Sequence, residues 1–315
     1  MLKTIVYYDC FDYPLTKEEL DIFSFKNGGS QEVGNLIEEA EGFYFLKGRE
    51  NLIKIREERN QIAKKKWEKT FRAVKWLRII PYIKLIFASG SLALSNTDKE
   101  SDLDILIVVK HGRIWTARIL TILILSLLGV RRNRYEKIAP DKICLNHFIT
   151  DKSLYIPRKS IYTAQLYARL VPIMGEEKLV KEFCEANSWI KEYISKFSIF
   201  NFQFSMKSQI PNSNFLNFIK KTGEVILDTK FGGWVESILR KYQFWRINNF
   251  HLTHKSGGTL SVPNSHAKRG GRVKADDESL EFHPDSPELR ILEKYNKKMI
   301  GLGFEDLTEK TSFDK

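Results

Sequence analysis

Two aspartates, Asp102 and Asp104, interrupt an otherwise apolar stretch, SDLDILIVV at residues 101–109. In a β-strand, residues two positions apart point to the same face, so both carboxylates are expected to lie close together. Like charges at short range repel each other, and burial raises the cost of keeping both ionised. A cation is therefore expected between them. Mg²⁺ (or Mn²⁺), held by these two carboxylates together with substrate phosphates, has the required chemistry.

A Gly-Ser pair, Gly90-Ser91, supplies the second half of this predicted site. It follows a short apolar strand predicted at 83–88 and precedes residues that can begin a helix. Glycine at such a turn lets the backbone approach a phosphate closely. Amide groups at the helix start and the Ser91 hydroxyl can then bind phosphate oxygens. Metal on one side and amide donors on the other would hold a nucleoside triphosphate and polarise it for attack.

The combination of a Gly-Ser turn, a spacer and Asp-x-Asp between apolar residues resembles the signature of the DNA polymerase β-like nucleotidyltransferase superfamily. The layout is also similar to prokaryotic nucleotidyltransferase-domain proteins, with FDYPLT at 11–16, KICLNHF at 142–148 and a helical tail. The resemblance implies an α/β core with a mixed sheet and magnesium-dependent transfer of a nucleoside monophosphate to a hydroxyl, with release of pyrophosphate. ATP is the expected donor. A small molecule, a protein side chain and an RNA end all stay open as acceptors.

The superfamily usually adds a third carboxylate on a later strand, and here that position is in doubt. Simple alternation along the strand expected at 142–150 places Asn146 near it, on the face shared by Cys144 and Phe148, with His147 on the core side. Asparagine offers a carbonyl oxygen to a metal but cannot act as a general base. Asp141, just before the strand, is the other main candidate; Glu136 is a further possible carboxylate and His147 a possible base. Two hypotheses follow: an active transferase, or a degenerate one that binds nucleotide and recruits a partner.

Two arginines, Arg113 and Arg118, flank the start of a helix predicted at 114–129. A guanidinium binds phosphate through paired hydrogen bonds, so both are candidate nucleotide-binding residues. The alternative is that they only solvate that end of the helix. The lysines of the preceding predicted helix, at 57–79, are expected to form a solvated face.

Composition sets the class of protein. Lysine and arginine number 51 against 39 aspartates and glutamates, a net charge of +12, which favours polyanionic partners or substrates. The three cysteines are widely scattered and lack metal-site spacing, which indicates free thiols in a reducing compartment. The most apolar stretch, 114–130, contains Arg118, and its uninterrupted apolar part, 119–130, is too short to span a bilayer. The expected location is the cytoplasm, with no membrane partner.

The whole pattern predicts an α+β protein in three parts. Residues 1–56 are expected to form a winged-helix-like module, residues 57–155 the nucleotidyltransferase core, and residues 156–315 a helical C-terminal region with a long loop at 253–279.

The winged-helix-like module is predicted from helices followed by a hairpin. Thr16 and Glu19 form a capping box at a helix start, a second helix is expected at 31–40, and the hairpin strands at 43–46 and 52–55. Glutamates in the second helix argue against DNA binding by this module without excluding it, since DNA phosphates require positive charge.

Overall fold

The computed structural model of the protein describes residues 1–26, 35–133, 136, 138–197, 214–253, 272–283 and 286–304. The elements within these ranges are, in chain order, α1 (Leu2–Asp9), β1 (Leu15–Thr16), α2 (Lys17–Phe23), β2 (Ile37–Ala40), β3 (Phe43–Leu46), α3 (Asn51–Leu77), β4 (Ile83–Ala88), α4 (Gly90–Ala93), β5 (Leu103–Val109), α5 (Ile114–Leu127), β6 (Ile143–Thr150), α6 (Ile161–Ala168), β7 (Val171–Gly175), α7 (Glu177–Ala186), a 3₁₀ turn (Ser188–Glu192), α8 (Asn214–Leu227), α9 (Lys230–Thr253), β8 (Arg272–Ala275), β9 (Ser279–His283) and α10 (Glu288–Gly301).

A six-stranded mixed sheet in the order β7-β4-β5-β6-β9-β8 forms the centre of the fold. The neighbours β5 and β6 run parallel, and every other pair in this sheet is antiparallel. The parallel pair is joined by α5, as a crossover connection requires. The predicted mixed α+β class is confirmed.

Helices cover both faces of this sheet because its central strands are apolar on both sides. Leu103, Ile105 and Ile107 of β5 pack with α3 and α5, whereas Leu106 and Val108 pack with α1, α6, α7 and α10. The first three are buried, which confirms that this face of the aspartate strand faces a core. The carboxylate of Asp104 belongs to the opposite face, since side chains alternate along a strand.

The N-terminal part differs from the predicted winged helix. Ile37–Ala40, expected in a helix, is strand β2, and 52–55, expected in a strand, lies in the first turns of α3. The hairpin is therefore β2–β3, closed at Glu41 and Gly42, whose φ angles of 52° and 77° suit a two-residue turn. Residues 31–34 of the expected helix lie outside the described residues.

A small antiparallel sheet, in the order β1-β3-β2, results from this hairpin. A winged-helix N-terminus is not confirmed, and the argument from an acidic recognition helix fails with it. The capping box is confirmed: the Glu19 amide donates to Thr16 Oγ1 at 3.3 Å, and the Thr16 amide donates to Glu19 Oε2 at 3.0 Å.

The C-terminal region is helical as expected but also contributes strands to the central sheet. Its helices are α6, α7, α8, α9 and α10, while β7 forms one edge and the β8–β9 hairpin the other. Strand β8 lies inside the stretch expected to be a long loop at 253–279, and residues 254–271 of that stretch lie outside the described residues. The predicted domain boundaries stay a prediction.

Within the described ranges, none of the helices combines the length and apolarity needed to cross a bilayer.

Candidate active site

The site forms where the end of β4 meets the start of β5. The Ser89 amide donates to the Asp104 carbonyl at 3.0 Å, which holds the turn after β4 against the first residues of β5. Gly90, the first residue of α4, has a φ of 61°, a conformation that favours glycine. A Cβ atom added to Gly90 would lie 2.6 Å from Asp104 Oδ2. The backbone conformation therefore favours glycine, and any side chain here would also require the Asp104 carboxylate to move.

Asp102 and Asp104 do converge, as the two-residue spacing predicts. Asp104 is the second residue of β5 and Asp102 immediately precedes that strand. Ligand atoms of Asp102, Asp104 and Cys144 all lie within 4.8 Å of one another. All three residues are half-buried, so the group lies neither in the core nor fully in solvent.

The charge of the pair is only partly compensated. Arg132 Nη1 donates to Asp102 Oδ2, and Asn146 Nδ2 donates to Asp104 Oδ1 at 2.8 Å. Burial, together with the neighbouring charge of Asp102, raises the pKa of Asp104 to about 7. Burial and the two carboxylates also raise the pKa of the Cys144 thiol. A cation bound between the two carboxylates would reduce the repulsion between their negative charges.

The loop before Asp102 is fixed by a buried lysine. Lys66 of α3 donates to the Ser101 carbonyl at 2.6 Å and to Asp141 Oδ1 at 3.0 Å, and its side chain is 2% exposed. Lys69 pairs with the same carboxylate. The expected solvated face of α3 is therefore wrong for Lys66. These two lysines hold the pKa of Asp141 below its usual range despite partial burial.

Asp141, one of the two candidates for the third carboxylate, is thus already neutralised by two lysines. Within the described part of the chain, it does not belong to the group of ligand atoms formed by Asp102, Asp104 and Cys144. The other candidate, Asn146, does contact the site, but as a donor to Asp104.

A bulge in β6 explains why simple alternation failed after Asn146. Asp104 is opposite Cys144, but Leu106 is opposite His147, so β6 has one residue more than β5 between these pairs. As a result, His147 and Phe148 each lie on the face of the sheet opposite to the one predicted by simple alternation. Phe148 packs with α3 and α5, and His147 Nδ1 lies 3.3 Å from the hydroxyl of Tyr167 on the other side of the sheet. The predicted orientations of both are wrong.

The two candidate phosphate-binding arginines lie beyond the other end of β5. Asp104 is the second residue of this strand and Val109 its last, a separation of about 16 Å at the usual strand rise. Arg113 Nη2 lies 3.6 Å from Asp228 Oδ1, and Arg118 Nη1 donates to Gln243 Oε1 at 2.7 Å. Either residue would have to leave these contacts to bind the phosphates, and that role stays a prediction.

Arg132 and Cys144 are the residues of the site that the sequence analysis missed. Arg132 follows the crossover helix α5, and a bridge between Arg131 and Ile143 at the start of β6 brings it beside Asp102. The sequence does offer one indication for Cys144: it is the first residue of the strand beside the aspartate strand that points away from the α3–α5 side of the sheet. Its partner could be known only from the register.

The donor set fits a divalent cation. Two carboxylates and a sulfur converge, and one guanidinium nitrogen already lies against both Asp102 Oδ2 and Cys144 Sγ, the latter at 3.8 Å. Carboxylate oxygens suit hard divalent ions, and a cysteine sulfur suits softer ones.

Comparison with known proteins identifies the central part of the chain. Residues 68–186 match the model of the nucleotidyltransferase domain family. This range includes β4, the Gly90 turn, β5 and β6. No curated protein and no solved structure matches the chain.

Proposed function

Since residues 68–186 form a nucleotidyltransferase domain of the DNA polymerase β-like superfamily, we propose that the protein transfers a nucleoside monophosphate to a hydroxyl acceptor and releases pyrophosphate. ATP is the proposed donor, and the acceptor is a small molecule, a protein side chain or an RNA end. The observation that carries the proposal is the convergence of Asp102 and Asp104 against the Gly90 turn.

The two aspartates have the properties of metal ligands. Asp104 lies in a strand whose other face is buried, and Asp102 immediately precedes that strand. The two carboxylates together carry more negative charge than Arg132 compensates. Asp102 and Asp104 would hold Mg²⁺ or Mn²⁺, which supplies charge neutralisation for the phosphates and the leaving pyrophosphate. Asn146 would orient Asp104 by its hydrogen bond, as groups behind a metal ligand commonly do.

The Gly90 turn has the properties of a phosphate-binding element. Because Gly90 lacks a side chain, its backbone lies against the carboxylate that would hold the metal. A triphosphate bridging the metal and this turn could then be gripped by backbone amides and by the Ser91 hydroxyl. Gly90 and Ser91 are thus the proposed nucleotide-binding residues.

One observation favours a second function, nucleotide binding without transfer. The resemblance predicts a third carboxylate near the position of Asn146, and Asn146 is an amide that donates to Asp104 Oδ1. A protein of this kind would use the bound nucleotide as a signal for a partner. The metal and phosphate ligands would be the same in both functions, so only a product distinguishes them.

The test is incubation of the protein with ATP labelled on its α-phosphate, Mg²⁺ or Mn²⁺, and a cell extract. Transfer predicts label in a protein, an RNA or a small metabolite, together with released pyrophosphate. Asp102→Asn and Asp104→Asn should each lower the label by about 100-fold or more, as expected for removal of a main charge-stabilising group. Glu100→Gln, which alters an exposed acid of the same loop, is the matched control. Bound but unconverted ATP would support the second function, and neither binding nor transfer would contradict both.

A further inference from the structure

Cys144 faces the aspartates from the neighbouring strand. In the parallel pair β5–β6 it is directly opposite Asp104, and its Sγ lies within 4.8 Å of ligand oxygens of both Asp102 and Asp104. Among the described residues, this is the only grouping of three or more histidine, cysteine or acidic side chains with ligand atoms that close. Cys144 as a residue is only partly buried, so the group does not lie wholly inside the core.

Asn146 does not compete with Cys144 for the place of a third ligand. Asn146 Nδ2 donates to Asp104 Oδ1 at 2.8 Å, so the NH₂ group of Asn146 faces this carboxyl group. The carbonyl oxygen, the one atom of Asn146 that could bind a metal, is on the other branch of that amide. Asp141 is held by Lys66 and Lys69.

A cation already lies between the sulfur and one carboxylate. The same nitrogen of Arg132, Nη1, donates to Asp102 Oδ2 and lies 3.8 Å from Cys144 Sγ. A divalent ion that displaced this guanidinium would meet an oxygen and a sulfur together. The guanidinium therefore marks a cation position with mixed oxygen and sulfur ligands.

We propose that Cys144 is the third protein ligand of the Asp102–Asp104 metal site and makes the site prefer sulfur-binding transition ions, such as Co²⁺ and Zn²⁺, over Mg²⁺. Thiolate is a soft ligand that favours transition ions, whereas carboxylate and water suit Mg²⁺. On ligation the Sγ–H proton passes to solvent and the sulfur binds as thiolate. This inference rests on the metal site of the proposed function, but not on transfer.

The test uses the full chain without a polyhistidine tag and Co²⁺ alone as the probe. Cobalt bound to thiolate gives a sulfur-to-metal charge-transfer band in the near ultraviolet, which the wild type should show on titration. The chain has two other cysteines, Cys10 and Cys184, both buried and free. A Cys10→Ser, Cys184→Ser double variant is the matched control and should keep the band.

Cys144→Ser should abolish the band and weaken Co²⁺ binding by at least ~10-fold, the usual cost of losing a metal-site group. Its Mg²⁺ affinity, measured calorimetrically, should change by less than about threefold, because serine leaves both carboxylates in place. A band that persists in Cys144→Ser, or an unchanged ratio of Co²⁺ to Mg²⁺ affinity, would overturn the inference.

Cys144→Asp gives a second measurement that does not depend on the serine variant. It replaces the soft ligand with a hard one, so the preference for Co²⁺ over Mg²⁺ should fall by at least ~10-fold. An unchanged preference would count against the sulfur as a ligand.

The labelled-ATP assay on the same samples separates this inference from the proposed function. A wild type that shows the cobalt band but transfers no label keeps the inference and contradicts the transferase. If the wild type shows no cobalt band, and Mg²⁺ supports equal transfer in wild type and Cys144→Ser, the inference is contradicted and the proposed transferase function is kept.

Discussion

Two regions of the molecule each hold a carboxylate near positive charge, and they differ in how completely that charge is matched. Glu19, in the N-terminal region, accepts hydrogen bonds from Tyr13 Oη at 2.6 Å and Arg56 Nη1 at 2.7 Å, with Arg169 Nη1 at 3.4 Å. Burial alone raises its pKa, yet the two arginines and these hydrogen bonds hold the net pKa below its usual range. All of its lone-pair directions are used inside the protein.

The site region shows the opposite balance. Asp104 has an amide and a neighbouring carboxylate beside it, and burial raises its pKa to about 7. The comparison shows the difference between two kinds of carboxylate. One whose charge is compensated by arginines and hydrogen bonds stabilises the fold, whereas one whose charge is not fully compensated can bind a ligand of opposite charge. The predictions below test that difference.

The largest expected effect is on stability in the N-terminal region. Glu19→Gln leaves two largely buried guanidinium groups, of Arg56 and Arg169, without their counter-charge, and should lower the free energy of unfolding by about 3 kcal/mol. Urea denaturation at pH 8 measures this. Glu18→Gln, an exposed acid in the same helix, is the control and should change little. A loss no larger than the control's would mean that the Glu19 cluster is not a matched one.

Asp104→Asn should have the opposite sign, with a characteristic pH dependence. In the metal-free wild type, folding raises the pKa of Asp104 from 3.8 to about 7, so the folded state binds the proton more tightly than the unfolded chain. Stability contributed by this group is therefore present below pH 4 and is lost as the pH rises through 7. The free energy of unfolding of the variant should equal that of the wild type at pH 4 and exceed it by about 2 kcal/mol at pH 8. The difference is kept to this size because solvent screens the half-buried carboxyl group.

Chemical denaturation in the presence of a chelator, from pH 4 to pH 8, checks this prediction. A stability difference that is constant across the range would show that folding does not raise the pKa of Asp104.

Arg132 should behave as an internal competitor for the metal. Its guanidinium occupies an oxygen of Asp102 and lies near Cys144, so Arg132→Gln should raise Mn²⁺ affinity by about fivefold, which is about 1 kcal/mol. Calorimetric titration measures it. Arg131→Gln, whose side chain contacts Asn133 instead, is the control. A lower affinity in Arg132→Gln would mean that the arginine organises the carboxylates and does not compete for them.

The smallest expected effect is at the capping box. Thr16→Ala removes the oxygen that accepts from the Glu19 amide and should lower stability by about 0.5–1 kcal/mol. The loss should be smaller than that of Glu19→Gln, because the arginines keep their partner. Thermal unfolding of both variants gives the comparison, and a larger loss for Thr16→Ala would reverse the order of importance inside this cluster.

Local spacing predicted the centre of the site. The positions of Asp102 and Asp104 follow from a two-residue period, and the Gly90 turn follows from its place between a strand and a polar loop. Leu103, Ile105 and Ile107 are buried for the same reason. Each of these features depends on residues close in the chain.

Features set by tertiary contacts were not predictable in this way. The IEEA sequence of β2 reads as helical but pairs with β3, and the alternating LIKI at 52–55 belongs to a helix whose buried residues include Leu52, Ile53 and Arg56. The bulge of β6 depends on its pairing with β5. The contact of Arg132 with Asp102 joins residues thirty positions apart.

The most direct test of the central claim, that Asp102 and Asp104 form a divalent-cation site, is a Mn²⁺ titration followed by electron paramagnetic resonance. At pH 8 the wild type and the Glu100→Gln control should bind Mn²⁺ with the same affinity, while Asp102→Asn and Asp104→Asn each bind at least ~10-fold more weakly. Equal affinity in all four proteins would contradict the account.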